Sequence, residues 1–301
     1  MRSFLRLPGY FAGRRLLKSM ESETPLVSCV LATTQARRPF LSQAIKYFQR
    51  QTYAPRELIV VDDPGARPIE PLAGMIAPLR EAVPQIRYLQ TDARLTLGSK
   101  LNLGMQEARG MIIQKLDDDD YYHPEFLRTT VGALLAGKRM HSIATCTSHL
   151  ILFAVTQELK VRRKAMWSGG TLCFFKELWQ KCPYRDISLA EDLFFLKDHK
   201  FKLIGIDNPE LYCYVRHAGG HLWSHFLKSE QMELGKVTAG GDVTEYMRRL
   251  PAYSKTFKEY IPAEDLWFWE NQLQSAPSSA THPADLDAHP ANLDLHGLAL
   301  S

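Results

Sequence analysis

Three short, largely apolar runs constrain the fold of this chain more than any other feature of its sequence. They are LVSCVLA from residue 26, ELIVVDD from residue 57 and MIIQKL from residue 111. Such runs are typical of strands that are buried on both faces, as in parallel sheets covered by helices. Apolar residues at helical spacing follow the first run from Pro39 and precede the third over Leu97–Ala108. This alternation predicts an α/β fold with a mostly parallel, doubly wound sheet.

The rest of the chain has a more mixed pattern. Further strands are expected at IRYLQ, TLCFF, KLIGI and LYCYV, and further helices at Pro124–Ala136 and Ala190–His199. Aromatic residues gather after about residue 240, and the last segment is small, polar and Pro-containing, which is typical of disorder. The predicted organisation is a basic leader (1–24), a main domain (25–226), a helical, aromatic-rich extension (227–274) and a disordered tail (275–301).

The composition favours a globular protein over several other classes of protein. Hydrophobic residues make up 45% of the chain, which fits a globular protein. The net charge of +4 is too small to argue for a nucleic-acid partner, and none is expected. No apolar run approaches the roughly 18 residues that a membrane-spanning helix needs. The five cysteines form no C-x-x-C pair, so buried free thiols in a reducing compartment are favoured over a zinc site or disulfides.

The first 24 residues leave two interpretations open. Basic residues alternate there with apolar and aromatic ones, as in the segment from Arg2 to Lys18. A helix that lies on an anionic membrane surface would have this pattern. A leader that is loosely ordered, or packed on the domain, would have it too, and we favour this interpretation. The predicted location is therefore cytoplasmic, with peripheral contact at the inner face of a membrane as the alternative.

Four adjacent aspartates, Asp117–Asp120, directly follow MIIQKL. Their carboxylates repel one another, so a cation or an array of hydrogen-bond donors has to lie close to them. In open α/β sheets, ligands bind beyond the carboxyl ends of the strands. Hard oxygen ligands at this place suit Mn²⁺ or Mg²⁺ that holds a pyrophosphate. Taken alone, the four acids fit equally well a solvated turn before the next helix.

Two further acidic pairs occur at the ends of predicted elements. Asp62-Asp63 ends the second apolar run and could accept hydrogen bonds from a nucleotide base or a ribose. The following Pro64-Gly65 also fits an ordinary turn. Glu191-Asp192 opens a predicted helix, where acids commonly serve as caps or partners of the helix dipole. Neither pair identifies a site without its context.

The order of these motifs resembles the family 2 glycosyltransferases. The similar segments are LVSCVLATTQARRPFLSQAIKYFQRQTYAPRELIVVDD, LGSKLNLGMQEARGMIIQKLDDDDYYHPEFL, MWSGGTLCFFKELW and LAEDLFFLKD. The resemblance covers about residues 25–223 and implies a GT-A, Rossmann-like fold, with residues 25–226 as the catalytic domain and a C-terminal helical extension. It also implies metal-dependent, inverting transfer of a sugar from a nucleotide-diphosphate sugar to an acceptor hydroxyl.

The resemblance implies roles for individual residues. Asp192 would be the general base, with Glu191 beside it, and Asp63 would contact the nucleotide base. Among the aspartates, Asp119 would be the first choice as a direct ligand of the Mn²⁺ or Mg²⁺ ion. The other implied residues are Thr33, Lys100, Asp117 and Asp118 for donor binding, Asp117 and His217 for the metal, and Trp167, Gly169 and Gly170 for the acceptor loop.

Some departures and alternatives stay open at this point. Thr33-Thr34-Gln35 replaces the T-Y-N phrase that is common in the family, so no aromatic ring is expected to stack on the base there. Lys100 could instead lie on a solvated helix face, and His217 could be structural. The expected partners are the nucleotide-sugar donor and a glycan or lipid-linked acceptor. The aromatic segment Tyr246–Trp269 could cover the acceptor site or touch a lipid-linked acceptor, but a helix pair packed on the catalytic domain is the favoured interpretation.

Two other functions share part of this pattern. A nucleotidyltransferase acting on sugar phosphates would have a similar sheet, acids and metal. It would also be expected to carry a glycine-rich phosphate loop after the first strand, and LATTQARRPF contains no glycine. A non-catalytic relative that binds nucleotide sugars is the second alternative. The presence of both Asp192 and the four aspartates argues against it.

Overall fold

The computed structural model describes residues 24–64, 85–217 and 243–274. Nearly all of the predicted leader, the whole predicted tail and the predicted boundary at residue 226 lie outside these residues. The chain divides into two compact units. The first comprises residues 1–149 and 163–213, and the second comprises residues 150–162 and 214–301.

The described residues form eleven strands and eight α-helices, numbered here in chain order. The strands are β1 (Val27–Thr34), β2 (Arg56–Asp63), β3 (Ile86–Gln90), β4 (Ile112–Leu116), β5 (Tyr121–Tyr122), β6 (Ser142–Cys146), β7 (His149–Phe153), β8 (Glu158–Arg162), β9 (Cys173–Phe175), β10 (Lys202–Ile206) and β11 (Tyr212–Arg216). The helices are α1 (Arg38–Gln49), α2 (Leu97–Glu107), α3 (Phe126–Ala136), α4 (Lys176–Lys181), α5 (Glu191–Lys197), α6 (Val243–Arg248), α7 (Phe257–Tyr260) and α8 (Ala263–Gln274).

A seven-stranded sheet organises the first unit, in the order β10-β6-β9-β4-β1-β2-β3. The pairs β1–β2, β1–β4, β2–β3 and β6–β10 are parallel, and β9 runs antiparallel to β4 and β6. The predicted mixed α/β fold with a mostly parallel sheet is therefore confirmed. Strands β1, β2 and β4 are buried along nearly their whole length, as their largely apolar sequences predicted.

Helix α2 shows how closely the helices cover this sheet. Its residues Leu101 and Met105 are fully buried in a core cluster with Val30 of β1. A Cβ atom at Gly104 would lie 2.5 Å from Val30 Cγ1, so only glycine allows this approach of helix and strand. The amino-terminal end of α2 is fixed by Thr96, whose hydroxyl accepts from the backbone N–H of Ser99.

The sequence did not predict β6, β7 or β8, which lie between the acidic turn and the glycine pair. Two other predicted elements are shorter than expected. The strand at TLCFF begins only at Cys173, and the helix at Ala190–His199 is limited to Glu191–Lys197. Ala190 adopts the left-handed region with a φ of 63°, which stops the helix from extending towards its amino terminus.

The second unit is built from the residues of β7 and β11 after His149 and Cys213, from β8, and from helices α6 to α8. Its small core contains Ile151, Phe153 and Met247. The backbone N–H of Val161 donates to Pro251 O at 2.9 Å, so the segment after α6 lies along β8. In the predicted aromatic extension, Trp269 is 1% exposed, whereas Trp267 is 73% exposed.

The structure also bears on the cysteines and on membrane-spanning helices, which were considered above from composition. Cys29, Cys146, Cys173 and Cys213 are buried free thiols, and Cys182 is a partly buried one, as predicted. Across the described ranges, the structure contains no helix that is long and apolar enough to cross a bilayer.

Candidate active site

The predicted donor-binding acids meet at one edge of the seven-stranded sheet. Thr34 at the carboxyl end of β1 pairs with Asp63 of β2, and Leu31 of the same strand pairs with Leu116, the last residue of β4. The acidic pair therefore ends β2 and the four-aspartate turn follows β4, on the same side of the sheet and on either side of β1. This is the place where parallel α/β sheets bind ligands.

Arginine 37 holds the middle of the acidic turn. Its Nη2 atom lies 2.7 Å from Asp118 Oδ1 and 2.5 Å from Asp119 Oδ2. The hydroxyl of Thr33, at the end of β1, donates to Asp118 Oδ2 at 2.7 Å. Burial alone would lower the pKa of Arg37, but the two carboxylates raise it well above its usual value. Arg37 and Thr33 therefore supply part of the hydrogen-bond donors that the four aspartates need.

Two tyrosines hold the ends of the same turn. The hydroxyl of Tyr122 accepts from the backbone N–H of Asp117 at 2.7 Å and donates to Gly170 O at 2.9 Å. The hydroxyl of Tyr212 donates to the Asp120 carboxylate. Burial, followed by the charges of nearby aspartates, raises the pKa of both tyrosines well above the usual value. Both phenols therefore stay protonated and able to donate.

Lysine 115 joins the acidic turn to the Glu191-Asp192 pair. Its Nζ atom lies 2.9 Å from Asp192 Oδ2, 3.1 Å from Asp117 Oδ1 and 3.8 Å from Glu191 Oε1. The lysine side chain is only 3% exposed. Burial by itself would lower the pKa of Lys115, but the three carboxylates raise it well above its usual value. A permanently charged ammonium group thus lies among three acids.

The glycine pair is enclosed by the same two aspartates. A Cβ atom at Gly169 would overlap Asp192 Oδ2 and lie 3.3 Å from Asp192 Cγ. A Cβ atom at Gly170 would lie 2.6 Å from Asp117 Oδ2 and 2.8 Å from the Tyr212 hydroxyl. A larger residue at either position would displace a carboxylate, because these carboxylates approach the backbone closely there. The predicted acceptor loop is therefore in direct contact with both acidic groups.

Asp192 and Glu191 differ in their surroundings. The Asp192 side chain is 11% exposed, and its Oδ1 atom has no hydrogen-bond partner of standard geometry within the described part of the chain. Burial, followed by the charge of Asp192, raises the pKa of Tyr184, so the Tyr184 hydroxyl lies close to this carboxylate. Burial, followed by the charge of Asp192, raises the pKa of Glu191 to about 8. The other oxygen of Asp192, Oδ2, accepts a hydrogen bond from Lys115 Nζ at 2.9 Å.

The Asp62-Asp63 pair is buried more deeply than the Glu191-Asp192 pair. Asp63 is 1% exposed, and its Oδ2 atom accepts from the Leu95 N–H at 3.0 Å and faces Lys100 Nζ at 3.2 Å. Lys100 Nζ also donates to Thr33 O at 2.9 Å. The alternative of a solvated face for Lys100 is wrong, because that residue is only 6% exposed. Its pKa is lowered by burial, although the Asp63 charge opposes this shift. The contact of Asp63 with a nucleotide base stays a prediction.

Trp167 and His217 are not placed beside these acids by the described contacts. Trp167 is partly buried and packs against the core cluster that contains Leu172 and Phe174. His217 is 8% exposed and belongs to the second unit. Their roles in the acceptor loop and in metal binding stay predictions.

No preformed metal site with three His, Cys, Asp or Glu ligands occurs in the described ranges. Two aspartates nevertheless fit a divalent cation. The side chains of Asp117 and Asp119 are 31% and 12% exposed. Burial raises the pKa of Asp117, and the charges of Asp192 and Asp119 raise it further, so added positive charge would be stabilising there. Mg²⁺ commonly uses one or two carboxylates and completes its shell with phosphate oxygens and waters.

The comparison with known proteins decides the family. The family model described as glycosyl transferase family 2 matches residues 28–163. This stretch is a family 2 glycosyltransferase domain. The match contains Thr33, Asp63, Lys100 and the four aspartates, and it ends before the glycine pair and before Glu191-Asp192. The roles predicted for those later residues lie outside the family match and stay predictions.

Individual relatives are distant. An uncharacterized glycosyltransferase of Bacillus subtilis (strain 168), YwdF, is 26% identical over 121 residues, which cover 40% of this chain and 42% of that protein. This chain therefore spans less than half the length of that relative. The crystal structure of S. aureus TarS 1-349 in complex with UDP-GlcNAc has 13% identity and a TM-score of 0.52. That match covers 68% of this chain and 63% of the TarS chain. It supports the GT-A type of fold.

Sequence reasoning missed four residues that organise the site. Arg37 lies in ARRPF after β1, and Lys115 interrupts a largely apolar strand. Tyr122 follows the four aspartates, and Tyr212 lies in LYCYV. The sequence carried one usable signal. A lysine inside a strand that is otherwise built for burial needs a nearby acid, and Lys115 stands two residues before the aspartates.

Proposed function

We propose that this chain is a metal-dependent, inverting glycosyltransferase that moves a sugar from a nucleotide-diphosphate sugar to an acceptor hydroxyl. The observation that carries this proposal is the arrangement around the glycine pair. The carboxylates of Asp117 and Asp192 lie against adjacent glycines and share Lys115. A donor-side carboxylate and a candidate base are thus held next to each other at the ligand-binding edge of the sheet.

The donor end of the site is assigned to the acidic turn. Asp117 and Asp119 are the two residues that would hold Mn²⁺ or Mg²⁺ together with the donor diphosphate. When bound, such an ion neutralises the charge that develops on the leaving diphosphate. Asp118 is taken up by Thr33 and Arg37, so its part in donor binding would be to fix the turn. The buried contact of Lys100 with Asp63 would support the nucleotide end in the same way.

Asp192 is assigned as the general base. Its Oδ1 atom has unused capacity to accept a hydrogen bond, while Oδ2 is held by Lys115. The carboxylate would take the proton of the acceptor hydroxyl as that oxygen attacks the anomeric carbon. The bond from the anomeric carbon to the diphosphate oxygen breaks, and the nucleoside diphosphate leaves with the bonding electron pair. Attack from the face opposite the leaving group inverts the anomeric centre.

The substrates are proposed as classes. A nucleotide sugar is supported by the family match and by the similar fold of a TarS complex with UDP-GlcNAc. A glycan or a lipid-linked sugar is the proposed acceptor, as part of polysaccharide synthesis. The location that we propose is cytoplasmic, at the inner face of a membrane if the acceptor is lipid-linked.

A donor screen tests the proposal against its alternatives. The full chain is incubated with UDP- and GDP-linked sugars, with and without Mn²⁺, and the products are separated. Release of free nucleoside diphosphate that depends on Mn²⁺ supports the glycosyltransferase. Pyrophosphate formation from a sugar phosphate and a nucleoside triphosphate supports the nucleotidyltransferase. Donor binding with no product under any condition, with glycan acceptors present, supports the non-catalytic relative.

A further inference from the structure

Lys115 is a charged residue at an unusual position. It lies in β4, near the middle of the seven-stranded sheet, and its backbone N–H donates to Leu172 O at 2.9 Å. Its side chain is almost fully buried, so the direction of the ammonium group is set by the strand. A Lys ammonium group has three N–H donors and no acceptor, and three carboxylate groups surround it.

We infer that Lys115 is a positioning residue, whose ammonium group fixes the carboxylate of Asp192 relative to that of Asp117. This inference rests on the proposed function, which makes Asp192 the base and Asp117 a donor-side ligand. The donated hydrogen bond to Asp192 Oδ2 leaves Oδ1 as the oxygen that can accept the proton. The contact with Asp117 Oδ1 ties the same ammonium group to the donor side.

The neighbouring backbone makes this arrangement rigid. Gly169 leaves room for the Asp192 carboxylate, and Gly170 leaves room for that of Asp117. Tyr122 links the Asp117 backbone to the Gly170 carbonyl, so the strand end and the glycine pair move together. The two carboxylates repel each other, and Lys115 is the cation that keeps them in place. A loss of this cation would let the base move by a distance that matters for catalysis.

A purely structural role makes a different prediction. If Lys115 only balanced buried charge, its removal would lower stability and would affect all activities equally. Positioning predicts instead that the effect on turnover depends on Asp192 and that the effect on diphosphate binding depends on Asp117. Double-mutant cycles measure this dependence directly.

The kinetic cycle uses K115M, D192N and the double variant, with release of nucleoside diphosphate from the donor as the readout. We expect K115M alone to lower kcat on the order of a hundredfold, as a misplaced catalytic group does. In the D192N background the same substitution should change kcat by less than about threefold, because the group it positions is already inactive. An equal loss of kcat in both backgrounds would overturn the inference.

The binding cycle uses K115M, D117N and the double variant, with UDP and GDP in the presence of Mn²⁺ as probes in calorimetry. We expect K115M to weaken binding of the preferred diphosphate about tenfold in the parent chain and to have little effect in D117N. Equal weakening in both backgrounds contradicts the inference. If the parent chain shows no turnover with any donor, the proposed function fails, and the binding cycle still decides the role of Lys115.

Two further variants protect the test against simple loss of folding. K176M is the control, because Lys176 is a partly buried lysine that donates to Ala108 O at 2.6 Å and lies at the opposite end of β9 from the site. We expect K176M to keep the parent kcat at saturating donor. K115M/E191Q removes one acid together with the cation and is compared with E191Q alone. If K115M/E191Q regains the melting temperature that K115M loses but does not regain kcat, the positioning role is supported. If it regains both, Lys115 acts in charge balance only.

Discussion

The two adjacent glycines provide a prediction that separates donor binding from base catalysis. In G170A, the new Cβ would lie 2.6 Å from Asp117 Oδ2 and 2.8 Å from the Tyr212 hydroxyl. Ordinary contact needs at least 3.4 Å, so these atoms have to move by 0.8 Å and 0.6 Å. In G169A, the Cβ would overlap Asp192 Oδ2, so the displaced group is the base instead. Gly169 does not have a left-handed φ, so the effect comes from contact and not from backbone strain.

The two variants should therefore fail in different ways. G170A is expected to weaken binding of nucleoside diphosphate with Mn²⁺ about tenfold, which corresponds to about 1.4 kcal/mol. G169A should bind the diphosphate within about threefold of the parent but lose kcat on the order of a hundredfold, the scale of a 1 Å misplacement. Calorimetry measures the first effect, and release of nucleoside diphosphate at saturating donor measures the second.

The control is G132A. Gly132 lies in α3, and a Cβ atom there would meet nothing within 4 Å. Alanine in a helix is favoured over glycine by about 0.8–1.0 kcal/mol, so G132A should melt slightly higher and keep full activity. The reasoning is refuted if G169A keeps near-parental kcat, or if both glycine variants lose binding and turnover together.

The remaining predictions concern the acidic turn. EDTA should abolish turnover, and Mn²⁺ or Mg²⁺ should restore it; full activity in EDTA contradicts metal dependence. D119A should keep the parent fold by circular dichroism but lose the Mn²⁺-dependent part of diphosphate binding, which calorimetry with and without Mn²⁺ would show. R37A should lower the free energy of unfolding by about 1–2 kcal/mol, because Asp118 loses a partner, and should lower the Mn²⁺ concentration for half-maximal activity, because Asp119 is freed. An unchanged Mn²⁺ requirement in R37A would show that its contact with Asp119 does not compete with the metal.

The fold and the outline of the site could be predicted because they depend on local pattern. Continuous apolar runs identify strands buried on both faces, and parallel pairing then brings their carboxyl ends to one edge. This is why Asp63 at the end of β2 and Asp117 directly after β4 were both assigned to the donor site from sequence. Gly169 and Gly170 were predicted from sequence for the acceptor loop, and that role stays a prediction; their contact with two carboxylates was not predicted.

The partners of the acids could not be predicted, because they depend on tertiary contacts. Arg37 and Asp118 are 81 residues apart, and Lys115 and Asp192 are 77 residues apart. Nothing in the spacing of either pair indicates a contact. Strands β6 and β9 show the same limit. Both are short, and β9 runs antiparallel between β4 and β6, an arrangement that only the whole sheet determines.

The central claim is that Asp192 is the base of a nucleotide-sugar transferase, and one comparison tests it most directly. D192N and E191Q are compared with the parent chain for Mn²⁺-dependent release of nucleoside diphosphate at saturating donor, with diphosphate binding measured in parallel. Asparagine keeps the size of Asp192 but cannot take the proton, so D192N should bind normally and lose kcat by about a hundredfold or more. E191Q should lose much less. Near-parental turnover in D192N, with or without a loss in E191Q, contradicts the account.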